Sequence, residues 1–448
     1  MNLQHDKTLD VALGNSRKTK TWKNRTVNWS ELLDRLSTTT RTPETVAEYK
    51  AMGRDQQSDI KDVGGFVGGY CTNGSRSDIL FRSVLCLDAD FADAELWPDW
   101  EFLYDKAAAV YSTHKHTPEK PRLRLVVPLG RNVDPDEYQA IGRRVASALG
   151  MDKFDDTSYQ PQRVMYWPST SQDGEYIFEY QDGPFLDPDE VLATYHNWKD
   201  VSAWPTSSRE AAQPKKATSK QKDPLEKGGL VGAFCRAYSI EEAIEAFVPA
   251  YQPCDEPNRY TYTEGSTAAG VVIYEDGKFS HSFHGTDPAS MQTVNAWDLV
   301  RLHLFKDQDA AIDPDTSPSL RPSYLAMVQL ATNDKRVAAQ IVADRAAEAS
   351  ADFDAPVEEA PAAENWHEKL KITGKGGIAQ TIENVVTILR HDPKLADCLA
   401  LNEMEHNIVA KQSLPWREVK GTSQWVDADD AALRYYLERV YGLSGKDR

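Results

Sequence analysis

Two aspartates stand two residues apart, directly after a short apolar run of this 448-residue chain. Ser83–Leu87 has the pattern of a buried strand, and Asp88 and Asp90 follow it. Residues i and i+2 of a strand project to the same side, where two carboxylates repel each other unless a cation lies between them. Such a pair of hard oxygen ligands suits Mg²⁺ or Mn²⁺. Because residues 86–105 contain seven acidic residues and no basic one, the alternative is a solvated acidic turn.

A second apolar run, residues 107–112, leads into Ser112 and His114. A hydroxyl and an imidazole two residues apart would both face a bound phosphate and donate hydrogen bonds to it. The alternative is a histidine in a surface loop, since Lys115 and His116 follow directly.

Two arginines begin a third run, residues 122–129, which has the pattern of another strand. Arg122 and Arg124 would project to one face of it, and guanidinium groups bind phosphate or carboxylate through paired hydrogen bonds. They would therefore hold a phosphate, unless they face solvent or pair with the acidic residues after Leu87.

A further pair of aspartates, Asp155 and Asp156, precedes a strand predicted over residues 163–167. One of them would supply a third carboxylate to a metal site, and Arg163 would contact phosphate. Because the two aspartates are adjacent, the sequence leaves the choice between them open. The alternative is a turn, where aspartate commonly caps the backbone.

Together these residues form the set that phosphoryl transfer assisted by two metal ions requires. Three carboxylates would bind the metals, while the histidine and the three arginines would offset the charge of a triphosphate.

The elements around these motifs mix strands and helices without a strict βαβ alternation, which favours an α+β fold. Residues 136–149 have the apolar spacing of a helix and precede Gly150, a common stop signal. Further along, Ser239 and Glu242 form a capping box that predicts another helix, and a β-hairpin and one more helix follow it.

Two segments have the composition of linkers and divide the chain into three blocks. Residues 205–229 hold six basic and three acidic residues and form a basic flexible linker, while residues 346–364 hold six acidic residues and no basic one. Neither segment has enough apolar surface to offset the entropy of its own ordering. The blocks are a catalytic domain at 1–204, an accessory domain of a hairpin plus helices at 230–345, and a mostly helical region at 365–448.

Charge and composition exclude several classes of protein. The 51 Lys and Arg against 69 Asp and Glu give a formal net charge of −18, which argues against coating of duplex DNA through the overall field. No apolar run approaches the roughly 20 residues of a membrane-spanning helix, and the polar start does not predict a signal peptide. The five scattered cysteines lack a CxxC motif and indicate reduced thiols, as in a cytoplasmic protein.

The second block contains His281 and His284, with Cys235 and Cys254 upstream. Such side chains bind zinc in many proteins, but the spacing of these two cysteines is not one of the usual ligand spacings. The pattern therefore argues against zinc and favours a small accessory domain.

The order of the short motifs resembles a known family. LDAD at 87–90, STH at 112–114 and FD at 154–155 resemble the hhDhD, sxH and hD motifs of archaeo-eukaryotic-type primases.

Longer phrases narrow this resemblance. KDVGGFVGGY at 61–70, STHKHTPEKPRLRLVVPL at 112–129 and RVMYWPS at 163–169 resemble the primase-polymerase region of phage and mobile-element replication proteins. These proteins are of the virulence-associated E, or phage primase-helicase, type. The resemblance continues through phrases within 232–305 and covers most of the chain outside the linkers.

The resemblance implies an RRM-like catalytic sheet with a smaller α/β subdomain, and DNA primase-polymerase activity on single-stranded DNA with nucleoside triphosphates. By matching positions, Asp88, Asp90 and Asp155 would bind two Mg²⁺ or Mn²⁺ ions, with Asp156 as the alternative third acid. Ser112 and His114 would bind the nucleotide. The phosphate or template contacts of the three arginines are our inference from residue type.

Proteins of this type commonly carry a P-loop helicase domain, but no GxxxxGK[ST] motif occurs here. We therefore expect no ATP-driven unwinding by this chain. Either a separate replicative helicase is its partner, or the chain is a shortened form. The rival hypothesis is a non-enzymatic replication-initiation or adaptor protein that binds DNA or a helicase through a primase-like fold. A third hypothesis is another metal-dependent nucleotidyltransferase or nuclease that uses the same acids.

Overall fold

The chain folds into interleaved strands and helices, and the predicted α+β class is confirmed. None of the described helices is long and apolar enough to cross a lipid bilayer. The computed structural model describes residues 1–76, 78–211, 223–274, 277–310, 312, 316–351 and 366–444.

The first block holds the strands and helices that carry the predicted site. Its strands are β1 (Thr8–Gly14), β2 (Lys23–Asn28), β3 (Thr40–Thr42), β4 (Gly65–Val67), β5 (Gly69–Cys71), β6 (Ile79–Ala89), β7 (Ala108–Ser112), β8 (Leu123–Val133), β9 (Met165–Tyr166), β10 (Ser169–Ser171) and β11 (Phe178–Gln181). Its helices are α1 (Trp29–Leu36), α2 (Val46–Ala51), α3 (Arg54–Ile60), α4 (Leu96–Leu103), α5 (Pro135–Leu149), α6 (Pro188–Leu192) and α7 (Ser208–Ala211).

The central sheet of this block has the order β11-β7-β8-β6-β5, and its neighbouring strands are antiparallel. Leu85 and Leu87 of β6 pack in one core with α5, while Val84 and Cys86 pack in a second core with β1 and α1. Both faces are thus buried, which explains the uninterrupted apolar run at residues 84–87 of β6. The order β6-α4-β7-β8-α5 is the start of the β-α-β-β-α-β order of the expected RRM-like fold, and β9 and β10 lie between α5 and the last strand of the sheet, β11.

A second sheet has the strand order β2-β1-β4-β9. It packs against the face of the central sheet that carries Val84 and Cys86. The two sheets meet at Tyr111 of β7, whose hydroxyl donates to the carbonyl of Tyr166 in β9 at 2.8 Å. Val84 and Cys86 of β6 pack on this side of the central sheet, and Asp88 continues their alternation. The fold therefore places the acidic strand end between the two sheets.

Helix α5 begins and ends where its sequence signals predict. The side chain of Asp134 accepts hydrogen bonds from the backbone NH groups of Asp136 and Glu137, and Pro135 occupies the first turn. Gly150 follows the helix with a φ of 101°, which favours glycine.

The remaining described residues form a five-stranded antiparallel sheet with helices around it, and a three-stranded sheet near the end. The helices are α8 (Gly229–Ala237), α9 (Ile240–Phe247), α10 (Ala296–Phe305), α11 (Pro322–Asn333), α12 (Lys335–Ala351), α13 (Ile382–His391) and α14 (Asp427–Tyr441). The strands are β12 (Tyr251–Pro253), β13 (Arg259–Tyr262), β14 (Val271–Tyr274), β15 (Phe279–Ser282), β16 (Thr293–Val294), β17 (Leu399–Asn402), β18 (Asn407–Ala410) and β19 (Ser423–Gln424).

The accessory block docks on the start of α5 through one buried carboxylate. Asp136 is fully buried and accepts hydrogen bonds from the backbone NH of Ser266 at 3.1 Å and of Gly285 at 2.5 Å. The hydroxyls of Ser266 and Thr267 donate to the same side chain. A Cβ atom at Gly285 would lie 2.9 Å from Pro135, so only glycine permits this approach.

The second and third blocks share one hydrophobic core, which contains Trp297 and Ile341 together with Ile388 and Leu437. Helix α12 continues to Ala351, past the predicted start of the acidic linker, and residues 352–365 lie outside the described part of the chain. The C-terminal region contains α13 and α14, and also the sheet β17-β18-β19, which the sequence patterns did not indicate.

Candidate active site

Asp88 and Arg124 form a buried ion pair on the central sheet. They are opposite each other in the antiparallel register of β6 and β8, and Arg124 Nε lies 2.5 Å from Asp88 Oδ1. The guanidinium also donates to the Tyr111 hydroxyl at 2.7 Å and to the Tyr166 carbonyl at 2.8 Å. Burial alone would lower the pKa of Arg124, but the Asp88 charge helps to raise it above the usual range. Both charges are therefore held in place at the end of β6.

Asp90 pairs with Arg122, the residue directly before β8. Arg122 Nη1 lies 2.7 Å from Asp90 Oδ1. The side chain of Asp90 is 35% exposed, whereas that of Asp88 is 9% exposed. Both carboxylates line one cleft, as strand alternation predicts, but at different depths.

Asp155 lies beside Asp88. Its backbone NH donates to the Asp88 carbonyl at 2.7 Å, and its Oδ2 atom lies 3.5 Å from Arg163 Nη2. The same arginine nitrogen lies 4.0 Å from Asp88 Oδ2. One cationic group therefore stands between the two carboxylates.

Asp156 points away from this group. It accepts a hydrogen bond from the Ser207 hydroxyl at 2.6 Å, and its other oxygen lies 3.7 Å from Arg209 Nε. Burial raises the pKa of Asp156 above the usual range. The geometry therefore favours Asp155 over Asp156 as the third acid.

His114 lines the cleft and has a partner at each ring nitrogen. Glu44 Oε1 lies 2.9 Å from Nε2, and Ser169 Oγ lies 2.9 Å from Nδ1. The ring also packs on Tyr49, with centroids 4.3 Å apart. Burial lowers the pKa of His114, and Glu44 opposes part of that shift. These contacts favour a neutral imidazole in a fixed orientation.

Ser112 lies outside the cleft, which corrects the prediction that it faces the same phosphate as His114. Its side chain is buried, and its hydroxyl accepts a hydrogen bond from the backbone NH of Ile177 at 2.9 Å. Strand β7 ends at Ser112, so the alternation of a strand does not extend to His114 in the following turn. Thr113 lines the cleft instead.

Several residues at the cleft were not identified as site residues from the sequence. Lys61 opens the phrase KDVGGFVGGY and Tyr166 lies within RVMYWPS, so the quoted phrases contained a signal for both. Lys115 and Ser169 follow or belong to motifs already named. Glu44 has no local signal, because it reaches His114 from a loop 70 residues earlier in the chain.

The cleft is predominantly cationic. Its volume is about 150 Å³, and five basic residues line it against two acidic ones, Asp88 and Asp90. The basic residues are Lys61, Lys115, Arg122, Arg124 and Arg163. Such a lining attracts a polyanion to the position of the acids.

A second groove, of about 650 Å³, adjoins the cleft and shares Lys61, Arg163 and Tyr166 with it. Its other charged lining residues are Arg17, Lys18, Arg76, Asp55 and Asp59. Basic side chains outnumber acidic ones in both spaces, so a cationic path leads from the groove to Asp88.

The donor set fits hard divalent cations, since Asp88, Asp90 and Asp155 supply carboxylate oxygen. The Arg163 guanidinium already places positive charge between Asp88 and Asp155. In the described part of the chain, no three or more His, Cys, Asp and Glu side chains are grouped as a metal site. A metal ion would therefore bind only after Arg122 and Arg163 turn away from the carboxylates.

The histidines and cysteines of the accessory block contact separate partners. His284 is buried between the Thr267 hydroxyl, 2.7 Å from Nδ1, and the backbone NH of Tyr262, which donates to Nε2 at 3.1 Å. His281 Nδ1 lies 3.0 Å from the Thr293 hydroxyl. Burial raises the pKa of Cys235 to about 11. These contacts account for the side chains as parts of the accessory fold.

Two comparisons with known proteins returned a match. A search of solved structures matched the AEP domain of the cyanophage S-2L primase-polymerase (PrimPol) at 18% identity, over 42% of this chain and 87% of that chain, with a TM-score of 0.25. No curated protein matched the chain. The family model of the VapE N-terminal domain matches residues 1–207.

Proposed function

We propose that this chain is a DNA primase-polymerase of a phage or mobile element, acting in the cytoplasm of a bacterial host. It would join nucleoside triphosphates on a single-stranded DNA template. The observation that supports this most is the convergence of Asp88, Asp90 and Asp155 with five basic side chains in and beside one cleft. The VapE N-terminal match of residues 1–207 agrees with it.

In this proposal, Asp88, Asp90 and Asp155 hold two Mg²⁺ or Mn²⁺ ions. When bound, the ions supply positive charge for the attacking 3′-oxygen and for the leaving pyrophosphate. The 3′-oxygen forms a bond to the α-phosphorus, the bond to the β-phosphate oxygen breaks, and the hydroxyl proton passes to solvent. The carboxylates orient the reacting groups, so the loss of one of them should stop synthesis.

The arginines would have different roles because their contacts differ. Arg124 is held by Asp88, Tyr111 and the Tyr166 carbonyl, so it fixes the position of Asp88. Arg122 and Arg163 have fewer partners and stand nearer to solvent, at 20% and 37% side-chain exposure. They would exchange a carboxylate for a phosphate when the triphosphate binds.

The adjoining groove would carry the template strand. It has room for an extended strand, and its basic side chains offer contacts to the phosphates. Because it shares Lys61 and Arg163 with the cleft, a strand in the groove would reach the place where a nucleotide binds.

The rival function, a non-enzymatic adaptor that binds DNA or a helicase, is favoured by one observation. Asp88 and Asp90 each lie within 2.7 Å of an arginine nitrogen, and Asp155 lies 3.5 Å from Arg163. In an adaptor, these pairs would be permanent parts of a DNA-binding fold. In either case, a separate replicative helicase is a proposed partner.

Incorporation of labelled nucleotide on single-stranded DNA, with Mg²⁺ and Mn²⁺ compared, separates the two functions. Asp88→Asn should abolish incorporation, because it removes one metal-binding charge with little change of shape. Asp189→Asn is the matched control, since Asp189 is an exposed aspartate paired with Arg131. Synthesis by the Asp88→Asn variant would refute the site. DNA binding by the native chain without incorporation under either metal would support the adaptor.

A further inference from the structure

The segment Ser207–Glu210 stands at the start of the predicted flexible linker, but it is packed against the catalytic block. Ser207 and Glu210 are 1% and 8% exposed, although the composition of residues 205–229 suggested a tether. Residues 212–222 lie outside the described part of the chain. Specific contacts must therefore hold Ser207–Glu210 against the catalytic block.

Its contacts converge on the loop that carries Asp155. The backbone NH and hydroxyl of Ser208 donate to Asp152 Oδ1 at 2.9 and 3.0 Å. Arg209 donates from Nη1 to the Asp152 carbonyl at 2.9 Å and from Nη2 to the Phe154 carbonyl at 2.5 Å. The segment thus fixes the backbone immediately before Asp155.

The residue after Asp155 is held by the same segment. Ser207 donates to Asp156 Oδ1 at 2.6 Å, and its own oxygen accepts the backbone NH of Glu210 at 3.0 Å. With Asp152, Phe154 and Asp156 all fixed, little freedom remains for the Asp155 backbone. Its NH group donates to the carbonyl of Asp88.

The segment is itself anchored at two further places. Glu210 forms two hydrogen bonds of 2.7 Å with the buried guanidinium of Arg143 on α5. The Arg209 guanidinium lies over the ring of Phe91, 4.4 Å from the ring centroid. Phe91 is the residue directly after Asp90. The segment therefore connects α5, the Asp90 turn and the Asp155 loop.

We propose that Ser207–Glu210 is a positioning element, which fixes the loop that carries Asp155 beside Asp88 and so sets the affinity of the site for a divalent cation. This inference rests on the proposed metal-binding role of the three acids. Arg209 contacts neither the cleft nor the acids that line it, so its effect is exerted through the backbone of residues 152–156. Outer contacts that orient metal ligands commonly change metal affinity by about 10- to 100-fold when they are removed.

The test is the affinity of the full chain for Mn²⁺, measured by electron paramagnetic resonance without nucleotide or DNA. Arg209→Ala should weaken Mn²⁺ binding by about tenfold or more. Arg209→Lys, which keeps a donor and the charge, should recover part of the affinity. Arg131→Ala is the matched control, because Arg131 pairs with Glu137 and Asp189 away from the cleft.

A merely structural role predicts a different result. Arg209→Ala would then lower the melting temperature and leave the Mn²⁺ affinity of the folded protein unchanged, which would overturn the inference. If Arg209→Ala does not fold, Ser207→Ala removes one hydroxyl from the same segment and should weaken Mn²⁺ binding in the same direction. Native-like affinity in that variant, or no Mn²⁺ site in the native chain, also overturns it.

Failure of the proposed function gives a separate result. A native chain that binds Mn²⁺ but incorporates no nucleotide refutes the polymerase, while a loss of affinity in Arg209→Ala still supports the positioning element. An active polymerase whose Arg209→Ala variant keeps full Mn²⁺ affinity refutes the positioning element alone.

Discussion

Glu44 Oε1 lies 2.9 Å from His114 Nε2, and the two side chains are 5% and 2% exposed. Burial alone would raise the pKa of Glu44, but hydrogen bonds from Thr42, its own backbone and His114 together lower it. Glu44 is therefore ionised and accepts the proton on Nε2, so the neutral His114 presents its Nδ1 lone pair to the Ser169 hydroxyl. The pair thus fixes the orientation of the His114 ring at the wall of the cleft.

Glu44→Gln should weaken nucleotide binding, because the amide removes the charge that orients His114. A hydrogen bond to a charged group contributes about 1.5–3 kcal/mol, so the KM for nucleotide should rise on the order of tenfold. Steady-state incorporation kinetics measure this change. Glu48→Gln is the control, since Glu48 is exposed on the neighbouring helix α2 and bonds only to Thr45. An unchanged KM in Glu44→Gln would separate the pair from nucleotide binding.

Lys18→Ala should reduce the salt dependence of single-stranded DNA binding. Lys18 lines the second groove and its side chain is 58% exposed, at 3.8 Å from Asp59. Removal of one phosphate contact should lower the slope of log K against log salt by about 0.7. Fluorescence anisotropy with a labelled oligonucleotide measures the slope. Lys106→Ala serves as the control. Lys106 pairs with Glu190 just before the start of β7, whereas the cleft lies at the end of that strand. Equal slopes in both variants would place the DNA elsewhere.

Glu210→Leu should destabilise the chain strongly, because it leaves the buried Arg143 guanidinium without its partner. Breaking a buried ion pair costs about 3–5 kcal/mol. The double variant Arg143→Met/Glu210→Leu should recover most of this loss, since no buried charge remains. Urea unfolding measures the difference. The control is Glu348→Leu, whose exposed pair with Arg345 should contribute no more than about 1 kcal/mol. A double variant as unstable as Glu210→Leu would contradict this account.

Acid should weaken the accessory block through His281. Burial lowers the pKa of His281 to about 4, and its charged neighbours Glu210, Arg143 and Asp287 act with opposing signs. The unfolded chain takes up a proton near pH 6.5, whereas the folded chain does not until about pH 4, so stability is full above pH 6.5 and declines as the pH falls.

Melting temperatures between pH 7 and pH 4 test this linkage. The slope for His281→Gln should be shallower than for the native chain, because glutamine takes up no proton in either state. His196→Gln, at an exposed histidine, should keep the native slope. Parallel curves for all three proteins would assign the acid sensitivity to other groups.

The strand ends and the start of α5 were predictable because their signals are local. An apolar run before Asp88 and the Pro-Asp start of α5 depend on neighbouring residues only. Glu44 was not predictable, since its partner His114 comes from a distant part of the chain. Ser112 was assigned to the cleft because the strand period was extended past the last residue of β7.

The spacing of apolar residues did not predict which side chains are buried where a polar contact decides the packing. The spacing of Ile382, Val385, Val386 and Leu389 puts them on one face of helix α13, but Ile382 is 84% exposed. Helix α13 instead buries Asn384, whose amide bonds to the backbone of the segment before the helix. The Ser207–Glu210 segment was interpreted as a tether for a similar reason, because its hydrogen bonds are made to side chains and carbonyls far away in the sequence.

The contact of Asp136 with Ser266 and Gly285 has a consequence for the evolution of the two blocks. Asp136 stands in the first block, while the groups that satisfy it come from the accessory block. A change on one side would leave buried groups unsatisfied unless the other side changes with it. The two blocks should therefore co-evolve, and recombination between related genes should exchange them together, with crossovers outside residues 136–285.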